Sequence, residues 1–225
     1  MTQENADLTK LKIIVVDDHE LVLGGTLEVI KQQYPEAKIL TAQNAQDAQE
    51  QVERFLPDLV VMDLSIPEKR GVTAKPETGI QLLKTLMQKY PNLNLVVQSA
   101  HVKSLIRILP EIDAYKGGFT VADKSLSSKE MLTRVNWALG GLTHTKDIKG
   151  IQAGTEIKPE WLTVLTLAFE EGLQDKAISE RMCVSERTVR HYWTKVQDVL
   201  GVYPEEGKNI RIQTHLRARE EGLID

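Results

Sequence analysis

The sequence predicts an α/β fold, a doubly wound five-stranded parallel sheet, followed by an all-α unit. Three observations predict it. Short apolar runs rich in β-branched residues, too short for helices and apolar enough to be buried on both faces, recur between Leu11 and Ala122. Stretches with apolar residues at helical spacing alternate with these runs, which implies parallel strands joined by right-handed crossovers. Beyond Pro159 the strand-like runs stop and only helical spacing remains.

The first strand, residues 11–16, ends in the acid pair Asp17-Asp18, whose ordinary role would be to cap the helix that follows. That helix occupies 21–33 and stops at Tyr34-Pro35, because a residue before proline is steered away from helical backbone. Residues 38–42 form the second strand and 45–55 the second helix, with Pro57 just beyond. The third strand, 59–62, ends abruptly at Asp63. The loop 65–79 holds Pro67, Gly71, Pro76 and Gly79 among several charges, and a loop of that length in a compact domain is functional or disordered. Residues 80–90 are the third helix, closed by Pro91, and 93–98 the fourth strand, ending in Ser99-Ala100. A weakly helical stretch covers 101–112, and Gly117-Gly118 turn the chain into the fifth strand, 119–122, followed by Asp123 and Lys124. Ser127 or Ser128 caps a helix that runs through Trp137 to Leu139 and closes at Gly140-Gly141. Residues 142–156 lack periodicity and read as a linker. Helices then cover 159–171, 175–182, 185–200 and 210–221, and the tight corner at Cys183 gives the middle pair the layout of a helix-turn-helix.

With 225 residues, 41% of them hydrophobic and 27% charged, the chain is long enough for two domains. The net charge is -4, so contact with nucleic acid requires cations gathered on one face. No apolar run approaches the roughly 20 residues that span a bilayer, and the polar start, MTQENADLTK, does not resemble a secretion signal. No membrane association is expected, and the expected location is cytoplasmic. The single cysteine, Cys183, has no internal partner for a disulfide, and beside Val184 it reads as a small core residue.

Side by side in a parallel sheet, Asp17, Asp18 and Asp63 would crowd three negative charges at the carboxyl rim, where ligands of such sheets collect. A hard divalent cation relieves the repulsion, and Mg2+ takes one or two carboxylates, a carbonyl and waters. The expected ligands are Asp17, Asp18, Asp63 and the backbone carbonyl of Ser65. A carboxylate beside such an ion attacks phosphorus to form an acyl phosphate, and Asp63 is the expected nucleophile. Lys124 and Ser99, from neighbouring strand ends, would pair with the phosphoryl oxygens, and the movement of their loops toward a new dianion makes a switch.

With that acid pair, Asp63, Ser99 and Lys124 on successive strand ends, residues 11–141 resemble the flavodoxin-like receiver domain of two-component response regulators. The stretch GLQDKAISERMCVSERTVRHYWTKV, 172–196, is similar to the core of the LuxR-type helix-turn-helix of the NarL/FixJ family, and the resemblance covers 157–225. It implies a phosphorylation-regulated transcription factor whose Asp63 takes a phosphoryl group from a sensor histidine kinase. The active form would be a homodimer on double-stranded DNA, and no enzyme activity is expected beyond its own phosphorylation and dephosphorylation. The resemblance implies an aromatic switch at Phe119, a position that also suits a core strand residue. It makes 185–197 the recognition helix, with Arg187, Arg190, His191 and Lys195 facing DNA, Lys176 and Thr188 near phosphates, and Val189, Val196, Val199 and Leu200 facing the core.

Three departures accompany the likeness. Residues 67–79 hold roughly eight more residues than the family's usual turn, in a surface loop of the kind that tolerates insertion. The fifth strand is about two residues longer before its lysine, so Lys124 would miss the phosphate if Ala122 took the customary place. Tyr192 replaces a usual histidine, and a longer loop containing Glu205 and Glu206 precedes the last helix, the family's dimerisation element. Two competing functions are a phosphorylation-independent adaptor and an enzyme hydrolysing small phosphate esters.

Overall fold

In the computed structural model, which describes residues 10–145, 148 and 157–224, the apolar runs become β1 (Lys12–Val16), β2 (Lys38–Ala42), β3 (Leu59–Met62), β4 (Asn94–Ser99) and β5 (Phe119–Asp123). A short β6 (Thr143–His144) follows. The sheet runs β2-β1-β3-β4-β5-β6, and every pairing is parallel. Strand order reverses at β1, which opens a crevice above β1 and β3. Ile13 pairs with Leu59 and Val16 with Met62, so the residues that follow, Asp17 and Asp63, leave the sheet together. The Asp63 amide donates to the Val16 carbonyl at 2.9 Å and carries the pairing one step further.

Both faces of the central strands are covered, as their unbroken apolar runs require: Ile13, Ile14, Leu59, Val60, Leu95 and Val96 are all fully buried. Helices α1 (Glu20–Gln33) and α5 (Ser128–Leu139) pack together, and α2 (Ala45–Phe55) packs against α3 (Pro76–Lys89). Leu23, Ile30, Met131 and Val135 close one side of the sheet over Ile13, Val15, Val61 and Val96. Local chemistry fixes the helix starts. Asn44 accepts a hydrogen bond from the Asp47 amide at the start of α2. Ser127 and Glu130 form a reciprocal capping box at α5.

Three sequence expectations change along the first unit. Helix α3 begins at Pro76 rather than residue 80, because proline at the first helical position lacks only an N–H that would have no helical partner. A bridge between Ile66 and Lys75 closes the shortened loop. Residues 101–112 resolve into a 3-10 helix, Val102–Ile108, and a short α4, Leu109–Asp113. The stretch read as linker contributes β6, which lines up with Phe119 and Thr120 of β5. Of that stretch, 146, 147 and 149–156 lie outside the described residues.

Cα packing divides the chain into two units, Met1–Val102 with Ile108–Asp147, and Lys103–Arg107 with Ile148–Asp225. The second unit contains α6 (Pro159–Phe169), α7 (Asp175–Arg181), α8 (Glu186–Leu200) and α9 (Ile210–Glu220). Trp161, Val164, Leu165, Ile178, Val189, Trp193, Val196 and Leu200 are buried and form its core. Cys183 differs from expectation: it is exposed, with φ of 53°. The sharp corner between α7 and α8 needs a left-handed residue there, and that backbone turns the thiol away from the core.

Candidate functional site

The crevice above β1 and β3 gathers the acids. Asp17 and Asp63 are each 3% exposed, and ligand atoms of Asp17, Asp18, His19 and Asp63 all lie within 4.8 Å of one another. The acid pair does not cap α1. His19 is the N-cap residue, and Asp17 Oδ1 instead accepts from the His19 amide at 2.9 Å.

Lys124 reaches this cluster despite the longer spacing before it. Its Nζ donates to Asp63 Oδ2 at 2.7 Å and lies 2.8 Å from Asp17 Oδ2. The register explains the reach: β5 continues to Asp123, opposite Ser99, so Lys124 stands at the strand end, and its amide donates to the Ser99 carbonyl at 3.3 Å. Burial pulls the Lys124 ammonium toward deprotonation, but hydrogen bonds and charge attraction from Asp17 and Asp63 outweigh it, leaving its pKa above the ordinary lysine value.

Asp63 Oδ1 is buried and makes no hydrogen bond among the described residues. A buried carboxylate oxygen left unpaired is costly unless a ligand uses it. One ammonium among three carboxylates also leaves net negative charge, and the donors are hard oxygens. The residues therefore fit a divalent cation such as Mg2+. Ser65 is half-buried two residues past Asp63. The turn there is held by the Leu64 carbonyl, which accepts from the amides of Ile66 and Gly79. Gly79 has no substitute at that approach, since a Cβ there would lie 2.2 Å from the Leu64 oxygen.

Ser99 is fully buried at the end of β4, and its Oγ accepts from the His101 amide at 3.1 Å. Of the two readings of Phe119, its position fits the core residue. It opens β5 opposite Leu95, fully buried, and extended chain of roughly 16 Å separates it from Lys124. Its place is in the core and away from the rim, because the strand runs on past it to Asp123.

In the second unit, Val189, Trp193, Val196 and Leu200 of α8 face inward, with Val199 half-buried. Arg187, Arg190 and His191 are exposed, as is Lys176 on α7, while Lys195 is partly covered and 3.9 Å from Asp198. Thr188 is half-buried. Its amide donates to the Ser185 Oγ that caps α8, and the two hydroxyls are 2.8 Å apart.

The sequence reading missed the side chains that hold these helices. Asp175, at the start of α7, accepts from Trp193 Nε1 of α8 at 3.0 Å and from the Arg211 guanidinium of α9 at 2.9 and 3.1 Å. The guanidinium stacks 3.6 Å above the Trp193 ring. Desolvation pushes the Arg211 pKa down, opposed by the Asp175 charge. Trp193 stands four residues after Val189 and is readable as core. Asp175 and Arg211 are remote in sequence, and no spacing rule joins them. His19 had one visible signal, its place directly after the acid pair.

A model of the response regulator receiver domain matches residues 13–136. The transcriptional regulatory protein DegU of Brevibacillus brevis is 24% identical over 228 residues, covering 88% of this chain and 91% of DegU. The DNA-binding transcriptional activator DevR/DosR of Mycobacterium tuberculosis is 26% identical over 205 residues, covering 85% of this chain and 89% of its own. Among solved structures, the RcsB-DNA complex has a TM-score of 0.60 at 17% identity, covering 94% of this chain and 98% of that one, a likeness of fold.

Proposed function

The chain belongs to the response regulator receiver family as a regulator of the NarL/FixJ type, and from that premise we propose that it is a DNA-binding transcription factor switched by phosphorylation of Asp63. The observation that carries the proposal is the Asp63 carboxylate, buried, with Oδ2 on Lys124 and Oδ1 open.

In the reaction, an Asp63 oxygen attacks the phosphorus of a phosphohistidine on a sensor kinase. The P–N bond breaks, the imidazole keeps the electron pair and takes up a proton, and an acyl phosphate forms on Asp63. Asp17, Asp18, Asp63 and the Ser65 carbonyl would hold Mg2+, which when bound neutralises charge and offers a position to a phosphoryl oxygen. Lys124 is already seated on Asp63 and passes from the carboxylate to the phosphoryl oxygens as a point charge. Ser99 Oγ accepts one hydrogen bond and retains its own proton to donate. The phosphoryl group brings a charge of about -2, enough to draw both strand ends toward Asp63.

The output is DNA binding. The N-terminal part of α8 enters the major groove, where Arg187, Arg190 and His191 reach base edges, and Lys176, Thr188 and Lys195 position the phosphates. Dimerisation uses α9, whose Ile212 and Leu216, four residues apart, are 59% and 55% exposed. A dimer places two recognition helices about one DNA turn apart, ~34 Å. An adaptor reading rests on the longer loop at 67–79 and on the spacing before Lys124, and the second of these loses its force with Lys124 on Asp63. The test is Asp63→Asn incubated with acetyl phosphate and Mg2+. The variant keeps its fold and takes up no phosphoryl group, and incorporation equal to wild type overturns the assignment.

A further inference from the structure

The acidic pocket contains a donor that phosphoryl transfer leaves unused. His19 is the N-cap residue of α1, yet its side chain makes no cap hydrogen bond. Its Nδ1 lies 2.8 Å from Asp18 Oδ1 and 3.5 Å from Asp17 Oδ1, and its ring is 65% exposed. The ligating atom of His19 shares the 4.8 Å cluster with oxygens of Asp17, Asp18 and Asp63. The unpartnered, buried Asp63 Oδ1 independently marks the cluster as a place where a ligand is due.

We propose that His19 Nδ1 is itself a metal ligand, making the pocket a mixed nitrogen and oxygen site that prefers first-row transition dications such as Co2+ or Zn2+ over Mg2+ more strongly than an all-oxygen pocket does. The proposal rests on the pocket of Asp17, Asp18 and Asp63 binding a divalent ion. Carboxylates, carbonyls and water suit Mg2+, whereas imidazole nitrogen suits the later transition ions. A neutral imidazole with its proton on Nε2 presents the Nδ1 lone pair as the donor. Donors around one such ion, at about 2.0 to 2.2 Å from it, stand at most roughly 4.4 Å apart. The four groups must therefore draw closer together to share one ion, and the exposed His19 ring has room to move toward the acids. The alternative role is a hydrogen bond from Nδ1–H that merely orients Asp18. Loss of such a positioning residue weakens metal binding by roughly 10- to 100-fold but does so for every ion alike.

The distinction is measurable by calorimetric titration of the full-length chain with Co2+ and separately with Mg2+, for wild type and His19→Ala. Asp63→Asn reports any ion held by other histidines. The expected result is about a tenfold or greater loss of Co2+ affinity in His19→Ala, with Mg2+ affinity changed far less. The Co2+-loaded wild type also shows a hyperfine-shifted, exchangeable imidazole proton that His19→Ala lacks. Equal losses for the two ions, or no loss for either, overturn the proposal while leaving the acidic pocket intact. If wild type binds neither ion, the pocket reading fails as well.

Discussion

Asp63 and Lys124 meet because two strands end at the same rim, and each residue there has an energetic consequence. Lys124→Ala leaves Asp17 and Asp63 facing each other without their shared cation. The expected destabilisation is on the order of 2 kcal/mol, below the usual cost of breaking a buried pair because Lys124 is partly exposed. Added Mg2+ reduces the deficit, since an ion on the same carboxylates replaces the missing charge, and thermal melts with and without Mg2+ measure it. The pH dependence has a definite sign. The folded Lys124 pKa lies above its unfolded value, so its contribution is complete below the ordinary lysine range and is lost as pH rises through the raised value. Alkaline melts should therefore bring wild type and Lys124→Ala together. The strand-end positions of the three acids, Ser99 and Lys124 were legible in the sequence because each comes at or just after the end of a short apolar run. For Phe119 the sequence left two readings, an aromatic switch implied by the resemblance and a core strand residue, and its full burial at the start of β5 fits the second. Cys183 was misread because a left-handed corner is a property of backbone path and leaves little mark on residue type.

At the scale of elements, α3 and α8 carry the most informative consequences. Gly79 of α3 lies against the Leu64 backbone, immediately after Asp63. Gly79→Ala must displace that turn, and the expected outcome is lower stability together with slower phosphorylation by acetyl phosphate than wild type at equal folded concentration. The start of α3 was missed because Pro76 serves both as a loop residue and as a first helical residue, and spacing alone does not separate the two. On α8, Arg190→Ala is expected to cost about 1 to 3 kcal/mol on a preferred site and to relax discrimination at one base position. Lys176→Ala on α7 weakens binding alike across sequences and lowers the salt slope by about 1. Anisotropy titrations over a salt series distinguish them. The apolar face of α8 was readable from its spacing, but the Asp175, Trp193 and Arg211 cluster required three helices to be brought together.

For the whole molecule, the parallel sheet and the all-α second unit follow from the sequence pattern, because alternating strands and helices with right-handed crossovers permit few topologies, whereas the strand order emerges only from the pairing of the strands in space. The sixth strand escaped because two residues carry no period. Dimerisation belongs at this scale. Leu216→Asp puts a charge on the exposed apolar pair of α9, and is expected to shift the phosphorylated chain from dimer toward monomer in sedimentation experiments and to weaken DNA binding without altering phosphoryl uptake. The central claim is that one phosphoryl group on Asp63 governs DNA binding by the second unit. The most direct measurement is the affinity of the full-length chain for its preferred DNA before and after acetyl phosphate treatment, with Asp63→Asn treated identically. A change of affinity in wild type that Asp63→Asn does not share is the predicted result, and equal affinities before and after treatment, or an equal response from the variant, would contradict it.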